Sequence, residues 1–246
     1  MNPMCEGKVV IVTGAAGGGL GRSIALTLAR EGAQVVVNYR TSQESAEAIV
    51  AHIRAAGGSA LAVAADVFTE QGCQHLVART LERFGVVDIC VIGPGGDWHP
   101  EPIDQLASEA ALEDIRRETA PLLYLLPLVL PGMYARNWGR VIGIGTHPVK
   151  LSPAFAYNTG KLARLQALLL AQDQAWPHGV TVNVIAPGPV EALPSLEAAI
   201  EQCQHGEAWL KRPNVSPTDI AEGVSFLCSE AGRFISGCVL PYLFHW

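Results

Sequence analysis

The stretch KVVIVTGAAGGGLG, residues 8–21, decides the fold of this chain. Its first part, Lys8 to Thr13, is a β-branched run without polar alternation, which is typical of a strand buried on both faces of a parallel sheet. Glycines follow from Gly14 to Gly21, and a helix-forming segment begins at Arg22. A strand, a glycine-rich turn and a helix in this order predict the first unit of an alternating α/β fold.

The glycines of this turn also indicate a binding site. A turn without side chains lets the backbone approach a pyrophosphate, whose charge is met by amide N–H groups and by the N-terminus of the following helix. The alternative interpretation is a flexible turn. The position of the glycines between a strand and a helix favours a dinucleotide site.

The same alternation continues through the chain. Strands are predicted near residues 8–13, 35–37, 60–65, 86–92, 140–145, 180–186 and 238–243. Helices are predicted near residues 22–30, 42–56, 69–84, 105–135, 153–176 and 216–229, the fourth with its middle disturbed by prolines. This pattern predicts an α/β fold of Rossmann type: a doubly wound parallel sheet with helices on both faces, in three layers. Ligands bind such sheets at the carboxyl ends of the strands.

Composition limits the class of protein. The 246 residues are 49% hydrophobic and 16% charged, which predicts one domain over residues 1–246. The net charge of −6 argues against a nucleic-acid partner. Six cysteines without a CxxC or Cys/His cluster predict reduced thiols, no metal site and a cytoplasmic location. The most apolar segment, residues 120–133, contains three prolines and is shorter than the roughly 20 residues of a membrane span, so no membrane partner is expected.

Tyr157 and Lys161 form the candidate catalytic pair. In a helix, residues four apart project from one face. A phenol titrates near about 10 in isolation, and a neighbouring ammonium favours the phenolate and lowers its pKa. Such a pair can act as a general acid or base, although two solvated side chains at helical spacing are the alternative.

Several motifs occur along the chain in the same order as in a known protein family. They are Thr13-Gly14, Gly19-Leu20-Gly21, Asp66, Tyr157-x-x-x-Lys161 and Pro187-Gly188. Together they resemble the short-chain dehydrogenase/reductase family over nearly the whole chain. The resemblance implies a seven-stranded sheet, a nicotinamide cofactor and a homodimer or homotetramer.

The resemblance also implies a reaction, most commonly NADPH-linked reduction of a ketone. Thr146, after the fifth strand, takes the place of the family's catalytic hydroxyl and would orient the carbonyl oxygen. Tyr157 would protonate that oxygen, while Lys161 would bind the nicotinamide ribose and lower the pKa of Tyr157. Oxidation of an alcohol is the same path reversed. A 3-oxoacyl thioester is the commonest substrate by resemblance, followed by small ketones, sugars and steroids.

The implied cofactor residues are Gly14, Gly19, Leu20, Gly21, Arg40, Asp66, Val67, Gly95, Tyr157, Lys161, Pro187 and Gly188. Asp66 would accept from the adenine amino group and Val67 would donate a backbone N–H, although Asp66 as a helix N-cap is the alternative.

The type of nicotinamide cofactor is a question of charge. A ribose 2′-hydroxyl is usually met by an acid at the end of the second strand, and a 2′-phosphate by a cation. Asn38 and then Arg40 follow this strand, so NADP is expected, with Arg40 as the phosphate contact and NAD as the alternative.

Four features depart from the family pattern. The glycine turn has one residue more than usual, and the loop from Thr146 to Tyr157 is short. The Asn-Asn-Ala-Gly after the fourth strand is replaced by residues 92–95, Ile-Gly-Pro-Gly. The relay asparagine of the fourth helix falls at Glu118 or Thr119. These losses support a second hypothesis, a non-catalytic homologue that binds dinucleotide as a sensor or scaffold.

Compensating groups and a lid complete the predicted site. Glu118 is a candidate carrier of a water or a proton, and His99 and His147 are candidates for the pocket mouth or for surface loops. Residues 189–214 are predicted to form a substrate lid with an apolar inner face of Leu196, Ile200 and Trp209. The alternative for these three residues is packing against the core.

Overall fold

A computed structural model of the protein describes residues 3–96, 98, 100–146, 154–188, 190, 192–205 and 215–242. It contains one seven-stranded sheet in the order β3-β2-β1-β4-β5-β6-β7, and every paired strand is parallel. The strands are β1 (Val9–Val12), β2 (Gln34–Tyr39), β3 (Ser59–Ala64), β4 (Ile89–Ile92), β5 (Gly139–Ile144), β6 (Val180–Ala186) and β7 (Val239–Pro241). The strand order reverses between β1 and β4, where sheets of this type bind ligands.

Helices cover both faces of the sheet. They are α1 (Leu20–Arg30), α2 (Gln43–Ala55), α3 (Glu70–Phe84), α4 (Ser108–Ala135), α5 (Phe155–Ala175), α6 (Leu196–His205) and α7 (Pro217–Cys228). One hydrophobic cluster joins the sheet to α1, α2, α6 and α7, and a second joins it to α3, α4 and α5. The predicted doubly wound, three-layer Rossmann-type sheet is confirmed.

β1 shows why the sheet is buried on both faces. Val10 and Val12 belong to the first cluster, whereas Ile11 between them belongs to the second. All three side chains have no solvent exposure, so an apolar residue is needed at each successive position. Burial of β1 on both faces therefore explains why its sequence shows no polar alternation.

Two elements differ from the prediction. α4 runs without a break through Pro121, Pro127 and Pro131, because packing of its buried face against the sheet and α5 outweighs the lost hydrogen bonds. α6 is a regular helix within residues 189–214, where a lid but no helix was predicted, and its Ala199 and Cys203 are buried against α1. None of the helices in the described ranges is long and apolar enough to span a bilayer.

The capping box of α7 provides a first test. Ser216 accepts from the backbone N–H of Asp219 at 3.2 Å, and the Asp219 carboxylate accepts from the N–H of Ser216 at 2.8 Å. We expect Ser216→Ala to lower the free energy of unfolding by about 1 kcal/mol in urea denaturation. Ser42→Ala is the matched control, since Ser42 caps α2 without a side-chain bond. Equal losses in both variants would contradict a role for the capping box.

Candidate active site

The glycine turn leads directly into the N-terminus of α1. Gly19 is the N-cap of α1 and offers no side-chain cap, and the first turn contains no acidic residue. The free N–H groups and the positive end of the helix dipole are therefore available to an anion. This arrangement fits the pyrophosphate of a dinucleotide.

The glycines of this turn have two different roles. Gly14 has a φ of +63°, and a methyl group there would lie 2.7 Å from Cγ of Pro94. A methyl group on Gly21 would lie 2.6 Å from the carbonyl oxygen of Gly14. At Gly18 and Gly19, by contrast, a methyl group would meet no protein atom within 4 Å. Gly14 and Gly21 thus allow close packing, whereas Gly18 and Gly19 leave an open cradle of the kind that a phosphate group fills.

A cavity of ≈ 260 Å³ lies beside the turn, at the carboxyl ends of β1, β4 and β5. It is lined by Val12, Thr13, Gly14, Gly19, Leu20, Gly21, Ile24, Val91, Gly93, Pro94 and Ile144. The cavity therefore lies at the reversal of strand order, where the topology predicted a ligand.

Asn38 holds the end of β2 against the glycine turn. Its side chain is 2% exposed, and its Oδ1 accepts from the N–H of Gly14 at 3.1 Å. Its Nδ2 donates to the carbonyl oxygen of Ala65 at 3.0 Å. Asn38 lies inside the strand rather than at its end, and β2 continues to Tyr39. The next residue, Arg40, is exposed, with its Cζ 5.8 Å from the ring centre of Phe68.

Asp66 and Val67 follow β3 in the loop before α3. Asp66 is half-buried and its Oδ1 accepts from the N–H of Phe68 at 3.0 Å, whereas Val67 is buried in the core. The N-cap of α3 is Thr69, whose side chain accepts from the N–H of Gly72 at 3.1 Å. The alternative interpretation of Asp66 as the helix N-cap was therefore wrong.

Tyr157 and Lys161 lie one turn apart near the start of α5. Nζ of Lys161 is 5.3 Å from the ring centre of Tyr157. Lys161 is only 7% exposed, and its ammonium forms an ion pair at 3.2 Å with Glu118 of α4, which is fully buried. The pair is consequently not the solvated surface pair that helical spacing alone would allow.

The pKa of Tyr157 moves in the direction opposite to the sequence-based expectation. Burial raises the pKa of the Tyr157 phenol, the Glu118 carboxylate raises it further, and the Arg164 guanidinium partly offsets this rise. Burial also lowers the pKa of Lys161, as does the neighbouring Arg164, while Glu118 acts in the other direction. The protein environment therefore favours the protonated phenol, which is the form that can act as an acid.

The other predicted residues lie at the same edge of the sheet. Thr146 is half-buried, two residues after the end of β5, and Pro187 and Gly188 follow β6 directly. Gly95 is half-buried in the loop after β4, where a methyl group would overlap the Glu118 carboxylate. His99, His147 and Trp209, and most of the loop between Thr146 and Tyr157, lie outside the described residues.

Arg164 is the residue that the sequence interpretation missed. It lies on α5, is fully buried, and contacts both Glu118 and the loop after β4. A signal was present, because an arginine within the leucine-rich segment of residues 162–170 interrupts an apolar pattern. Fully buried arginines are rare unless their charge is paired.

Leu196 and Ile200 of the predicted lid pack against the hydrophobic cluster on the α1 side of the sheet. For these two residues, the structure therefore agrees with the alternative interpretation, which is packing against the core. Before α6, the carbonyl oxygen of Leu193 accepts from Nη2 of Arg22 at 2.8 Å, which connects this segment to the first turn of α1.

Comparisons with known proteins agree with this fold and site. The family model described as short chain dehydrogenase matches residues 8–202. Versicolorin reductase 1 of Aspergillus parasiticus is 32% identical, over 97% of this chain and 96% of that protein. The chain therefore belongs to the short-chain dehydrogenase family, whose members are oxidoreductases acting on CH–OH and C=O groups.

Two solved structures are similar over nearly their whole length. One is a 7α-hydroxysteroid dehydrogenase in complex with NADH and 7-oxo glycochenodeoxycholic acid, with a TM-score of 0.84 and 30% identity, covering 98% of this chain and 94% of that one. The other is a short chain dehydrogenase from Burkholderia cenocepacia J2315 in complex with NADP, with a TM-score of 0.80 and 26% identity, covering 97% of each chain.

Proposed function

We propose that the protein reduces a ketone to a secondary alcohol with NADPH, and that Tyr157 is the general acid. One observation carries this proposal: the buried Lys161 ammonium lies 5.3 Å from the Tyr157 ring, on the helix that packs against the loop after β4. That loop also lines the cavity beside the glycine turn through Gly93 and Pro94. This shared loop supports a site in which the acid lies next to the bound dinucleotide.

Tyr157, Thr146 and Lys161 each have a separate role in the proposed reaction. A nicotinamide dinucleotide, when bound, supplies the hydride for the carbonyl carbon. Tyr157 gives its phenolic proton to the carbonyl oxygen, and its raised pKa keeps that proton available at neutral pH. Thr146 donates a hydrogen bond that orients the same oxygen. Lys161 uses one of its three N–H donors on Glu118, which leaves two for ribose hydroxyls.

The other cofactor contacts follow the same edge of the sheet. Gly14, Gly19, Leu20 and Gly21 would enclose the pyrophosphate, while Asp66 and Val67 would contact the adenine. Gly95, Pro187 and Gly188 would lie along the nicotinamide half. The open space at Gly18 and Gly19 and the uncapped start of α1 support this placement.

The preference for NADP rests on Asn38 and Arg40. Asn38 has no carboxylate to accept from a ribose 2′-hydroxyl, and its amide is already hydrogen-bonded to Gly14 and Ala65. Arg40 is exposed two residues later and can pair with a 2′-phosphate. Relatives of the family include structures with either cofactor, NADH in one and NADP in the other.

We expect Arg40→Ala to raise the Kd for NADPH about 10- to 100-fold, because a charge-assisted contact with the 2′-phosphate is lost, and to leave the Kd for NADH nearly unchanged. Fluorescence titration with each cofactor measures both constants. Arg79→Ala, which removes an exposed arginine from α3, is the control. Similar losses for both cofactors, or none, would contradict the assignment of Arg40.

The substrate class is tested with a panel of carbonyl compounds. The similar structure that contains a 7-oxo bile acid supports a ketone as the substrate class. A 3-oxoacyl thioester, a 7-oxo bile acid, a small ketone and a keto sugar would be compared by the loss of NADPH absorbance. Turnover of any of these ketones supports the reductase and excludes the non-catalytic alternative. No turnover across the panel would contradict the proposal.

The proposed assembly is a homo-oligomer in which each chain forms one domain. Leu112 and Leu123 of α4 and Phe155 and Leu170 of α5 are exposed apolar side chains on neighbouring helices. Burial of these side chains against a second copy would remove apolar surface from water. Sedimentation equilibrium distinguishes a dimer or tetramer from a monomer.

A further inference from the structure

Arg164 forms hydrogen bonds with the backbone at residues 92–94, within the stretch where Ile-Gly-Pro-Gly takes the place of the family's Asn-Asn-Ala-Gly. Its Nη2 donates to the carbonyl oxygen of Ile92 at 2.7 Å, and its Nη1 donates to that of Pro94 at 2.7 Å. A third, longer contact of Nη1 reaches the carbonyl oxygen of Gly93 at 3.4 Å. One guanidinium from α5 thus binds three consecutive backbone carbonyls of a loop whose own side chains carry no amide.

Glu118 binds the same loop through the backbone N–H of Gly96. Its Oε1 accepts from the N–H of Gly96 at 2.8 Å, and its Oε2 lies 3.2 Å from Nζ of Lys161 and 3.3 Å from Nη1 of Arg164. Glu118 stands where the relay asparagine was expected, and its side chain has no solvent exposure.

Two glycines make room for this carboxylate. A methyl group on Gly160 would lie 2.9 Å from Cγ of Glu118, and one on Gly95 would overlap the carboxylate itself. Since both positions exclude any side chain, the backbone around Glu118 is shaped to accommodate a group of this size. The carboxylate is therefore an integral part of the site.

From these contacts we infer that Glu118 and Arg164 are positioning residues, which act together on Lys161, Tyr157 and the loop after β4. Glu118 fixes the Lys161 ammonium beside Tyr157, and Arg164 fixes the loop that borders the dinucleotide cavity. This inference rests on the proposed function of Tyr157 as the acid. A buried ion pair contributes little net stability. The role of the Glu118–Arg164 pair is therefore to position Lys161 and the loop, and to set the electrostatic field at Tyr157.

The two residues act on Tyr157 with opposite sign. The carboxylate of Glu118 raises the pKa of Tyr157, and the guanidinium of Arg164 lowers it. Among the described residues, Lys161 is the third charged group at this cluster, and Asp114 of α4 is a further carboxylate beside Gly96. The loop after β4 contributes only backbone groups at residues 93–96.

The deciding experiment is an NMR titration of Tyr157 with tyrosine labelled at Cζ, assigned through the signal lost in Tyr157→Phe. In Glu118→Gln the titration midpoint of Tyr157 is expected to move to lower pH, because an anion is removed. In Arg164→Met it is expected to move to higher pH, because a cation is removed. Unmoved midpoints, or shifts of the same sign in both variants, would overturn the inference.

Steady-state kinetics adds a second readout. Loss of the Lys161 contact in Glu118→Gln is expected to lower kcat about 10- to 100-fold through misplacement of the ammonium. Glu222→Gln is the matched control: it removes a carboxylate paired with Arg30 at 2.8 Å on the opposite face of the sheet, and should move neither the midpoint nor kcat. A loss in Glu222→Gln as large as that in Glu118→Gln would contradict a specific role for Glu118.

A further variant keeps the test valid if a single substitution prevents folding. Glu118→Leu combined with Arg164→Met removes both charges of this ion pair together and retains apolar volume, so neither of these two residues is left as an unpaired buried charge. It should return the midpoint of Tyr157 to a value between those of the two single variants, and a value outside that interval would count against the inference. Since the NMR titration needs no turnover, it separates the two proposals: an active Tyr157→Phe would overturn only the proposed function, and an unmoved midpoint only the positioning role.

Discussion

Tyr157→Phe is expected to lower kcat for ketone reduction about 10²- to 10⁴-fold, the range over which a positioned acid contributes to proton transfer. The substitution removes the phenolic proton and leaves the ring, which is more than half-buried, in place. The Kd for NADPH should change little, because the proposed cofactor contacts through the glycine turn and Lys161 remain. Stopped-flow measurement of NADPH oxidation and fluorescence titration give the two quantities separately.

Tyr134→Phe is the matched control, since Tyr134 stacks on His178 at the far end of α4 and α5. It should retain the wild-type kcat. Full turnover in Tyr157→Phe would show that another group delivers the proton, and equal losses in both variants would indicate a general effect on folding.

Gly14→Ala is expected to have the largest effect on stability among the predictions, with a loss of about 2 to 4 kcal/mol in the free energy of unfolding. Gly14 has a φ of +63°, which disfavours any side chain, and its new methyl group would lie 2.7 Å from Pro94. The loop after β4 must then move away from the glycine turn. Urea denaturation followed by circular dichroism measures the loss.

Gly18→Ala makes the same chemical change a few residues away and is the matched comparison. Its methyl group would meet no protein atom within 4 Å, and its φ lies outside the left-handed region. Stability should be nearly unchanged, while the Kd for NADPH rises at least about tenfold because the methyl group occupies space that a phosphate fills in the proposed site. Equal stability losses in both variants, or unaltered cofactor affinity in Gly18→Ala, would contradict the division of roles among these glycines.

Sequence reasoning predicted the order of strands and helices because each signal is local. The signals for β1 and α7 depend only on neighbouring residues, and both elements lie close to the residues that the patterns predicted. The unbroken course of α4 depends on packing against other elements, and local proline signals do not report such packing.

The candidate site was predictable in part for the same reason. Tyr157 and Lys161 lie on one helix, so their spacing alone brings them together. The cluster of Glu118 and Arg164 joins two helices and a loop that are more than 20 residues apart in the chain. The sequence suggested Glu118 from the position of a missing asparagine, whereas its pairing with Arg164 depends on how α4 and α5 pack. Burial of the phenol is the main cause of the raised Tyr157 pKa, which is opposite to the expected direction, and the Glu118 carboxylate raises this pKa further.

The buried side chain of Asn38 has a consequence for any redesign of cofactor preference. Its amide connects the turn after β1 to the end of β3, so both its oxygen and its nitrogen already form hydrogen bonds within the protein. An aspartate introduced there to favour NAD would lose the N–H donor to Ala65 and place a carboxylate next to a carbonyl oxygen. Engineering of this enzyme for a different coenzyme should therefore begin at the exposed Arg40, the proposed contact of the 2′-phosphate, where the side chain can be exchanged without disturbing the hydrogen bonds of Asn38.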